Sequence, residues 1–435
     1  PSQLGLQAKI KLGADSQGRF TALQATFMVD SGAYCDIASR MAKSMAMNCT
    51  GPYRIDNVWC DSYCIYTNHI YATSFRGFGH LEFTFALERS IDKLAAQMQL
   101  DPLELRRLNA IQAGDSSPTQ VALTASNLGN LEACLDKLKL LINWDEGQYI
   151  PVDDRTVRCK GISCLWKTSN SPTDAFSGAM VTLNPDGSIN LIVGAVEIGP
   201  GMLTTLAQIA AERMKMDINK VHVQMQVNTR VSPHHWKTVG SMTTYMVGQA
   251  VLAAVQDAID QLICLASIVL KVPGADLDVA NGKVYIKDNP EYYIDIADIG
   301  HAYKYPNGNS IGGQVIGRGS YVMRHLTPLD PNTGQGKPGP AWTVGAQAVE
   351  VEYNRRDHTF KVLKAVTVLD VGKVINPQHA RGVITGGMSM GIGVATREEI
   401  IYDEEGKVDT SSLRTYKVLH CGQQPEYIVD YVETP

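Results

Sequence analysis

The sequence predicts an α+β protein of two lobes, each mixing helices and strands. Three observations carry that expectation. The chain has 435 residues, more than one simple hydrophobic core usually serves. Strand-like and helical patterns intermingle without the strict alternation of a doubly wound sheet. The composition turns polar around Gln148–Val157, which places a boundary between a first lobe at residues 1–150 and a second at 151–435.

In the first lobe, Ala8–Leu12 and Leu23–Val29 read as strands joined by the turn Ala14-Asp-Ser-Gln-Gly18. Val58–Tyr66 alternates in the same way and leads into Tyr71-Ala-Thr-Ser-Phe-Arg-Gly-Phe-Gly79. A helix should start near His80, with Phe83, Leu87, Ile91, Leu94 and Ala95 at helical spacing, and end near Leu100. Asp101 caps a second helix that has Pro102 at its first position, and Asn130 caps a third through Leu141.

The second lobe opens with strands near Cys159–Trp166 and Ala179–Leu183, then Ile189–Val193. Gly194-Ala-Val-Glu-Ile-Gly-Pro-Gly201 follows, ahead of a helix from Met202 to Met214. A strand at Val221–Val227 leads to Val239-Gly-Ser-Met-Thr-Thr244 and a long helix to Leu270. Thr343–Tyr353 and Lys361–Leu369 form a strand pair, and a glycine-rich helix runs from Pro377 past Gly386 to Ala395.

Composition narrows the function. The formal charge of −5 comes without any basic run, which argues against a nucleic-acid partner. The longest apolar pattern, Ala250–Val272, is broken by Gln256, Asp257, Asp260 and Gln261 and reads as a core helix. Nine cysteines contain no CxxC pair and read better as buried free thiols in a reducing cytoplasm than as a metal site.

The chemistry concentrates in three glycine-rich stretches. Arg76 is a planar five-donor fork suited to an anionic or oxo-rich group, and Phe78 offers a flat apolar face between flexible glycines. Glu197–Gly201 and Gly240–Thr244 share one form, a glycine turn opening a helix, whose outward N–H groups suit phosphate. Neither matches a P-loop or a dinucleotide fingerprint, which disfavours a nucleotide-binding enzyme. His234 and His235 on an extended segment should point opposite ways and lack a third ligand. Ser241 has no nucleophile-elbow context.

Phe75-Arg-Gly-Phe-Gly79, Asp101-Pro-Leu-Glu-Leu-Arg-Arg107, Val196-Glu-Ile-Gly-Pro-Gly201, Asp370-Val-Gly372 and Ile375-Asn-Pro377 appear in one order. That series resembles the molybdenum-cofactor subunit of the xanthine dehydrogenase, or molybdenum hydroxylase, family. The resemblance implies a molybdopterin, often as its cytosine dinucleotide, held by the two lobes of the molybdopterin-binding domain. It implies oxidation of an N-heterocycle or aldehyde through a Mo–OH group and hydride transfer. It also implies 2Fe-2S and FAD on partner chains. By the same resemblance Arg76 and Gly77 lie near cofactor and substrate, and the Phe78 ring stacks on the substrate. Ile198, Gly199, Pro200 and Gly201 match the pterin-contacting loop, and Gly240, Ser241, Met242 and Thr243 the loop holding the pterin phosphate.

The sequence departs from the family in four places, one being the lack of the glycine-rich loop that precedes the family's first strand pair. Proline stands at 200 and valine at 383 where the family has glutamine. The glycine-glutamate motif carrying the family's catalytic base has no counterpart, and Glu433 lacks its context. The expectation is a cytoplasmic molybdenum hydroxylase piece, without its general-base glutamate, working with chains that carry the remaining ends of the molybdenum subunit. A cofactor-free scaffold that keeps the fold is the alternative, favoured by Pro200 and Val383 and opposed by the intact Arg76 loop.

Overall fold

Alternating side chains build the opening sheet. β1 (Gly5–Ala14) pairs antiparallel with β2 (Phe20–Asp30), and β2 pairs parallel with β3 (Asn57–Ile65). The structure is a computed structural model and describes residues 3–224 and 226–434. Between β2 and β3 runs α1 (Ala38–Met47), a helix the sequence reading passed over. It buries Met41 and Met45 on one face, yet its N-cap Ile37 makes no side-chain capping bond. Without a polar cap, its start carries no local signal.

The next helices are α2 (His80–Met98), α3 (Pro102–Leu108) and α4 (Leu131–Leu141), followed by β4 (Tyr149–Pro151) and β5 (Thr156–Lys167). Both expected caps form. The Asp101 carboxylate accepts the N–H groups of Leu103 and Glu104 at 2.7 and 3.0 Å, and the Asn130 side chain accepts that of Ala133 at 3.0 Å. Asp101 also accepts the Trp144 indole N–H at 3.0 Å, tying the helix start to the core.

The arginine of the Asp-Pro-Leu-Glu-Leu-Arg stretch is structural. Arg106 is fully buried; its Nε donates to Glu88 at 2.8 Å and its Nη2 to Asp92 at 2.8 Å. The second Glu88 oxygen accepts the Tyr53 hydroxyl at 2.7 Å, and the first also accepts the Cys164 N–H at 3.0 Å. Every charge in this network has partners, as burial requires.

β6 (Phe176–Leu183), β7 (Ile189–Val193) and β8 (Val221–Val223) then form a sheet in which α5 (Met202–Met214) joins β7 to β8. The strand expected at Val221–Val227 is therefore short; position 225 lies outside the described residues, and Gln226 and Val227 are not strand. The long helix α6 (Thr243–Leu270) follows, with a small sheet of β9 (Leu277–Ala280), β10 (Lys283–Ile286) and β11 (Asn289–Asp295). A helical turn α7 (Ile296–Ile299), the paired β12 (Tyr303–Lys304) and β13 (Ser310–Ile311), and β14 (Ile316–Val322) complete this part. β14 is the edge of the sheet ordered β14-β6-β7-β8.

By length and composition α6 could cross a membrane, but it serves as a core helix. Its buried face includes Val251, Val255, Ala258 and Leu262, all packed in one hydrophobic cluster with β6 and β7. Two glycines of β14 allow the helix to approach. A Cβ on Gly317 would stand 2.1 Å from the Ala254 carbonyl oxygen, and one on Gly319 2.2 Å from that of Ala250.

β15 (Thr343–Asn354) and β16 (Thr359–Asp370) form the expected hairpin; α8 (Pro377–Thr396), the turn α9 (Leu413–Tyr416) and β17 (Glu426–Val432) close the described chain. β15 pairs with β5 along its whole length, giving a five-stranded sheet ordered β17-β16-β15-β5-β4. That pairing decides the division of the chain. One compact unit takes the described residues up to Asn170, Thr327–Val374 and those from Ala380 onward. The other takes Ser171–Leu326 and Ile375–His379. The single boundary expected near residue 150 does not describe this division, because β5 and β15 are neighbours in one sheet although far apart in sequence.

Candidate functional site

In the first unit, Gly77, Phe78 and Gly79 are consecutive left-handed residues with φ of 118°, 56° and 88°. The turn closes through the Phe78 N–H to the Phe75 carbonyl at 3.0 Å. Glycine is required at 79, where a Cβ would lie 3.0 Å from the Met45 side chain and 3.2 Å from the Met41 carbonyl oxygen. The Phe78 ring is half-buried and packs against the core of its unit.

The Arg76 guanidinium lies along α8. Its Nη2 donates to the Val383 carbonyl at 2.6 Å, and Nη1 is 4.0 Å from the Met390 sulfur. Gly386 and Gly387 leave room for it, since Cβ atoms there would come within 3.3 and 3.5 Å of the group. Among the described residues no carboxylate pairs with Arg76, and burial pushes its pKa below the usual arginine value. Val383 thus acts through its main-chain oxygen, which valine supplies as well as glutamine would.

The next residue along the helix start, His80, was not singled out in the sequence. It is buried, with Nδ1 2.9 Å from the Gly77 carbonyl oxygen, and its Nε2 is buried without a partner among the described residues. Burial, with the charge of Lys167 adding to it, holds its pKa down to about 3, so the ring is neutral.

In the second unit, the glycine loop before α5 differs from the expected phosphate cradle. The Glu197 carboxylate turns back and accepts the N–H groups of Gly199, Gly201 and Leu203 at 2.8, 3.1 and 3.2 Å. The chain supplies its own anion to these donors. Burial raises the Glu197 pKa, but the N–H donors of Leu203, Gly199 and Gly201 outweigh it and hold the group below the usual value. Pro200 has no N–H, yet none of these bonds needed one at that position. Ile198 and Gly199 stay exposed, and a Cβ at Gly199 would meet nothing within 4 Å.

Gly201 is different. A Cβ there would stand 2.3 Å from Nδ1 of His379, so only glycine admits that ring. The same Nδ1 is buried without a partner among the described residues. His379 is placed by Asn376 of the Ile375-Asn-Pro377 stretch, whose Oδ1 accepts its N–H at 3.0 Å and whose Nδ2 donates to Gln208 at 3.0 Å.

The second glycine loop is tied to the first by the Val196 N–H, which donates to Thr238 Oγ1 at 3.2 Å. Gly240 and Ser241 are both left-handed, at φ 65° and 61°. The Met242 side chain is buried against Ala175, Met246 and Met323, so it packs the unit, and its N–H donates to the Val239 carbonyl at 3.2 Å at the start of α6. His234 stacks on Phe176 with ring centroids 4.5 Å apart, and His235 Nδ1 is 2.8 Å from Ser177 Oγ, so the pair diverges. Glu433 accepts the Val374 N–H at 2.7 Å.

Among the described residues, three features leave room or hydrogen-bonding capacity for a ligand: the orphaned Nδ1 of His379 beside Gly201, the open face at Gly199 and the paired left-handed turn at 240–241. The chain matches the molybdopterin cofactor-binding domain twice, over residues 137–425 and 2–110. It is 28% identical to the probable hypoxanthine oxidase XdhD of Escherichia coli (strain K12) over 433 residues, covering 96% of this chain and 42% of that protein. It is 27% identical to the putative xanthine dehydrogenase molybdenum-binding subunit XdhA of the same organism, covering 97% and 55%. The fold superposes on quinoline 2-oxidoreductase from Pseudomonas putida 86 with a TM-score of 0.82 at 22% identity, over 99% of this chain and 55% of that one. The chain belongs to the molybdopterin cofactor-binding domain family. It spans about half the length of these relatives.

Proposed function

We propose that this chain forms the cofactor-holding part of a cytoplasmic molybdenum hydroxylase that oxidises an N-heterocycle or an aldehyde. The observation that carries the reading is Arg76, a guanidinium set over two glycines with a carbonyl and a thioether as its contacts and no carboxylate partner among the described residues. A planar fork held that way keeps donors for an oxo-rich group. When bound, the molybdopterin, in this reading as its cytosine dinucleotide, supplies the two-electron centre at which an electron-poor carbon is hydroxylated. In this reading the 2Fe-2S centres and FAD belong to partner chains.

The residues of this chain bind and orient. Arg76 and Gly77 border the reacting centre, and the outer face of Phe78 positions a flat substrate. Gly199, Pro200 and Gly201 line the pterin, with His379 Nδ1 offering it a hydrogen bond. The main chain at Gly240–Thr243, at the positive end of a 28-residue helix, receives the phosphate. Val383 holds Arg76 in place.

The test is a preparation of the chain with its partner polypeptides, assayed for metal and for turnover of a heterocycle and aldehyde panel. About one molybdenum per chain is expected. Phe78→Ala should keep the metal and raise KM, and Arg76→Lys should lower turnover at least ~tenfold, because a point charge replaces a fork. An assembly without molybdenum, or a Phe78→Ala variant with wild-type turnover and KM, overturns the reading.

A further inference from the structure

We propose that Cys35 and Cys64 are an oxidant-responsive modification site: a hydroperoxide oxidises Cys35, and Cys64 closes a reversible disulfide that stiffens the segment leading into the Arg76 loop. Their sulfurs are 3.7 Å apart, in contact although 29 positions separate them in the chain. Both thiols are free and half-buried. A covalent bond of about 2 Å needs the pair to close by only ~1.7 Å. A disulfide formed in a reducing compartment is as a rule transient and redox-sensing.

The two sulfurs have unequal surroundings. Cys35 stands just ahead of α1, whose N-cap Ile37 offers no side-chain acceptor to the first-turn N–H groups. The Cys35 sulfur takes that place and accepts the Ser39 N–H. Burial pushes the Cys35 thiol up, but the Ser39 N–H, the Cys64 thiol and the Ser39 and Tyr66 hydroxyls outweigh it and hold it below the usual thiol value. Burial and the Cys35 sulfur push Cys64 up instead. Cys35 is thus the attacking thiolate and Cys64 the resolving thiol. Cys49 and Cys60 are the contrast. The Cys60 contact and complete burial push the Cys49 thiol well above its usual value, which leaves it inert.

The Cys35 thiolate attacks one peroxide oxygen; the O–O bond breaks, an S–O bond forms, and the leaving alkoxide or hydroxide takes a proton. Cys64 loses its proton and attacks the sulfenic sulfur; the S–O bond breaks, the S–S bond forms, and water leaves. The two sulfurs together give up the two electrons that the peroxide gains. Exchange with a small dithiol reverses the change.

Main-chain bonds carry the effect onward. The Ser31 carbonyl accepts the Ala72 N–H at 3.1 Å, the Gly32 carbonyl accepts that of Thr67 at 3.2 Å, and the Ala33 N–H donates to the His69 carbonyl at 3.0 Å. A Cβ at Gly32 would stand 2.2 Å from the Ile70 carbonyl oxygen, so the two segments touch. The Asp36 carboxylate, next to Cys35, accepts the hydroxyl of Thr73, which lies just before Phe75. Tying Cys35 to β3 therefore fixes the segment that runs into Phe75–Gly79.

The experiment uses the assembly with its partner polypeptides, treated with stoichiometric hydrogen peroxide. The chain carries Cys264→Ser and Cys421→Ser, so that the two exposed thiols do not react. Peptide mass spectrometry should find Cys35 joined to Cys64 with the loss of two hydrogens, and dithiothreitol should restore both thiols. Cys64→Ser should stop at a Cys35 sulfenic acid, trapped by dimedone, and Cys35→Ser should leave Cys64 unoxidised. Amide exchange at Thr67 and Ala72 should slow by about tenfold in the oxidised chain and stay unchanged in peroxide-treated Cys35→Ser. Free Cys35 and Cys64 after treatment, a disulfide through Cys49 or Cys60 instead, or unchanged exchange at Thr67 and Ala72 overturns the proposal. Each readout is independent of molybdenum content and turnover, so failure of the cofactor reading leaves this test standing.

Discussion

Replacing Glu88 by glutamine keeps shape and removes one charge from the most buried network in the chain. Arg106 is fully buried, and Glu88 is 5% exposed. Burial alone would lower the arginine pKa, yet Glu88 chiefly, with smaller help from Tyr53 and Asp92, raises it well above the usual value. After Glu88→Gln only Asp92, on the half-exposed side, opposes that charge. Removing one partner of a buried pair costs about 3–5 kcal/mol. Against a urea dependence of order 3 kcal/mol/M for a unit of this size, the unfolding midpoint should fall by roughly 1–1.7 M. Tryptophan fluorescence reads the affected unit, since Trp59, Trp144, Trp166 and Trp342 lie in it and Trp236 does not. Asp92→Asn, whose side chain is 35% exposed, should cost no more than about 1 kcal/mol. Glu88→Gln/Arg106→Met should regain part of the loss, because no buried charge is left behind. A Glu88→Gln midpoint within ~0.3 M of wild type would refute the reasoning.

The pKa of His80 is held down to about 3, below the 6.5 of an ordinary histidine, so the unfolded chain binds the proton more readily. Stability of the first unit should therefore be fully present above pH 6.5 and fall as pH drops towards 3, by up to about 1.4 kcal/mol per pH unit from this group. Denaturant titrations across that window should show His80→Phe, which keeps a ring against Phe83, to be less sensitive to acid. An equal acid slope in the variant would remove His80 as the cause. In the second unit, Gly319→Ala places a methyl against the Ala250 carbonyl of α6 and should destabilise by about 1–3 kcal/mol, read by thermal unfolding. An unchanged melting temperature would show that helix and strand can separate freely.

Much of the fold was legible because its signals are local. Asp101 and Asn130 announce helices by satisfying N–H groups a few residues away, and β1, β2, β15 and β16 announce themselves by alternation. The helix α1 was missed because its cap is Ile37, and β9 to β13 because they are only two to seven residues long. The site was legible where several residues form one motif, as at Phe75–Gly79. It was opaque where the decisive fact is a distant partner or the lack of one. Nothing near Glu197 in the sequence says that its carboxylate folds onto Gly199, Gly201 and Leu203. His379 likewise becomes notable only when Gly201 is found under its ring.

The pairing of β5 with β15 also dictates an order of events during synthesis. β5 ends at Lys167, but its neighbour β15 begins at Thr343, so some 175 residues must leave the ribosome before that edge is covered. The intervening stretch, Ser171–Leu326, is nearly all of the second unit and can collapse on itself meanwhile. The first unit must then wait as a half-finished sheet, with the β5 edge that pairs with β15 left open. An open strand edge of that length invites pairing with the wrong partner. A chaperone acting on this protein would be needed most in the interval between emergence of Lys167 and emergence of Asn354.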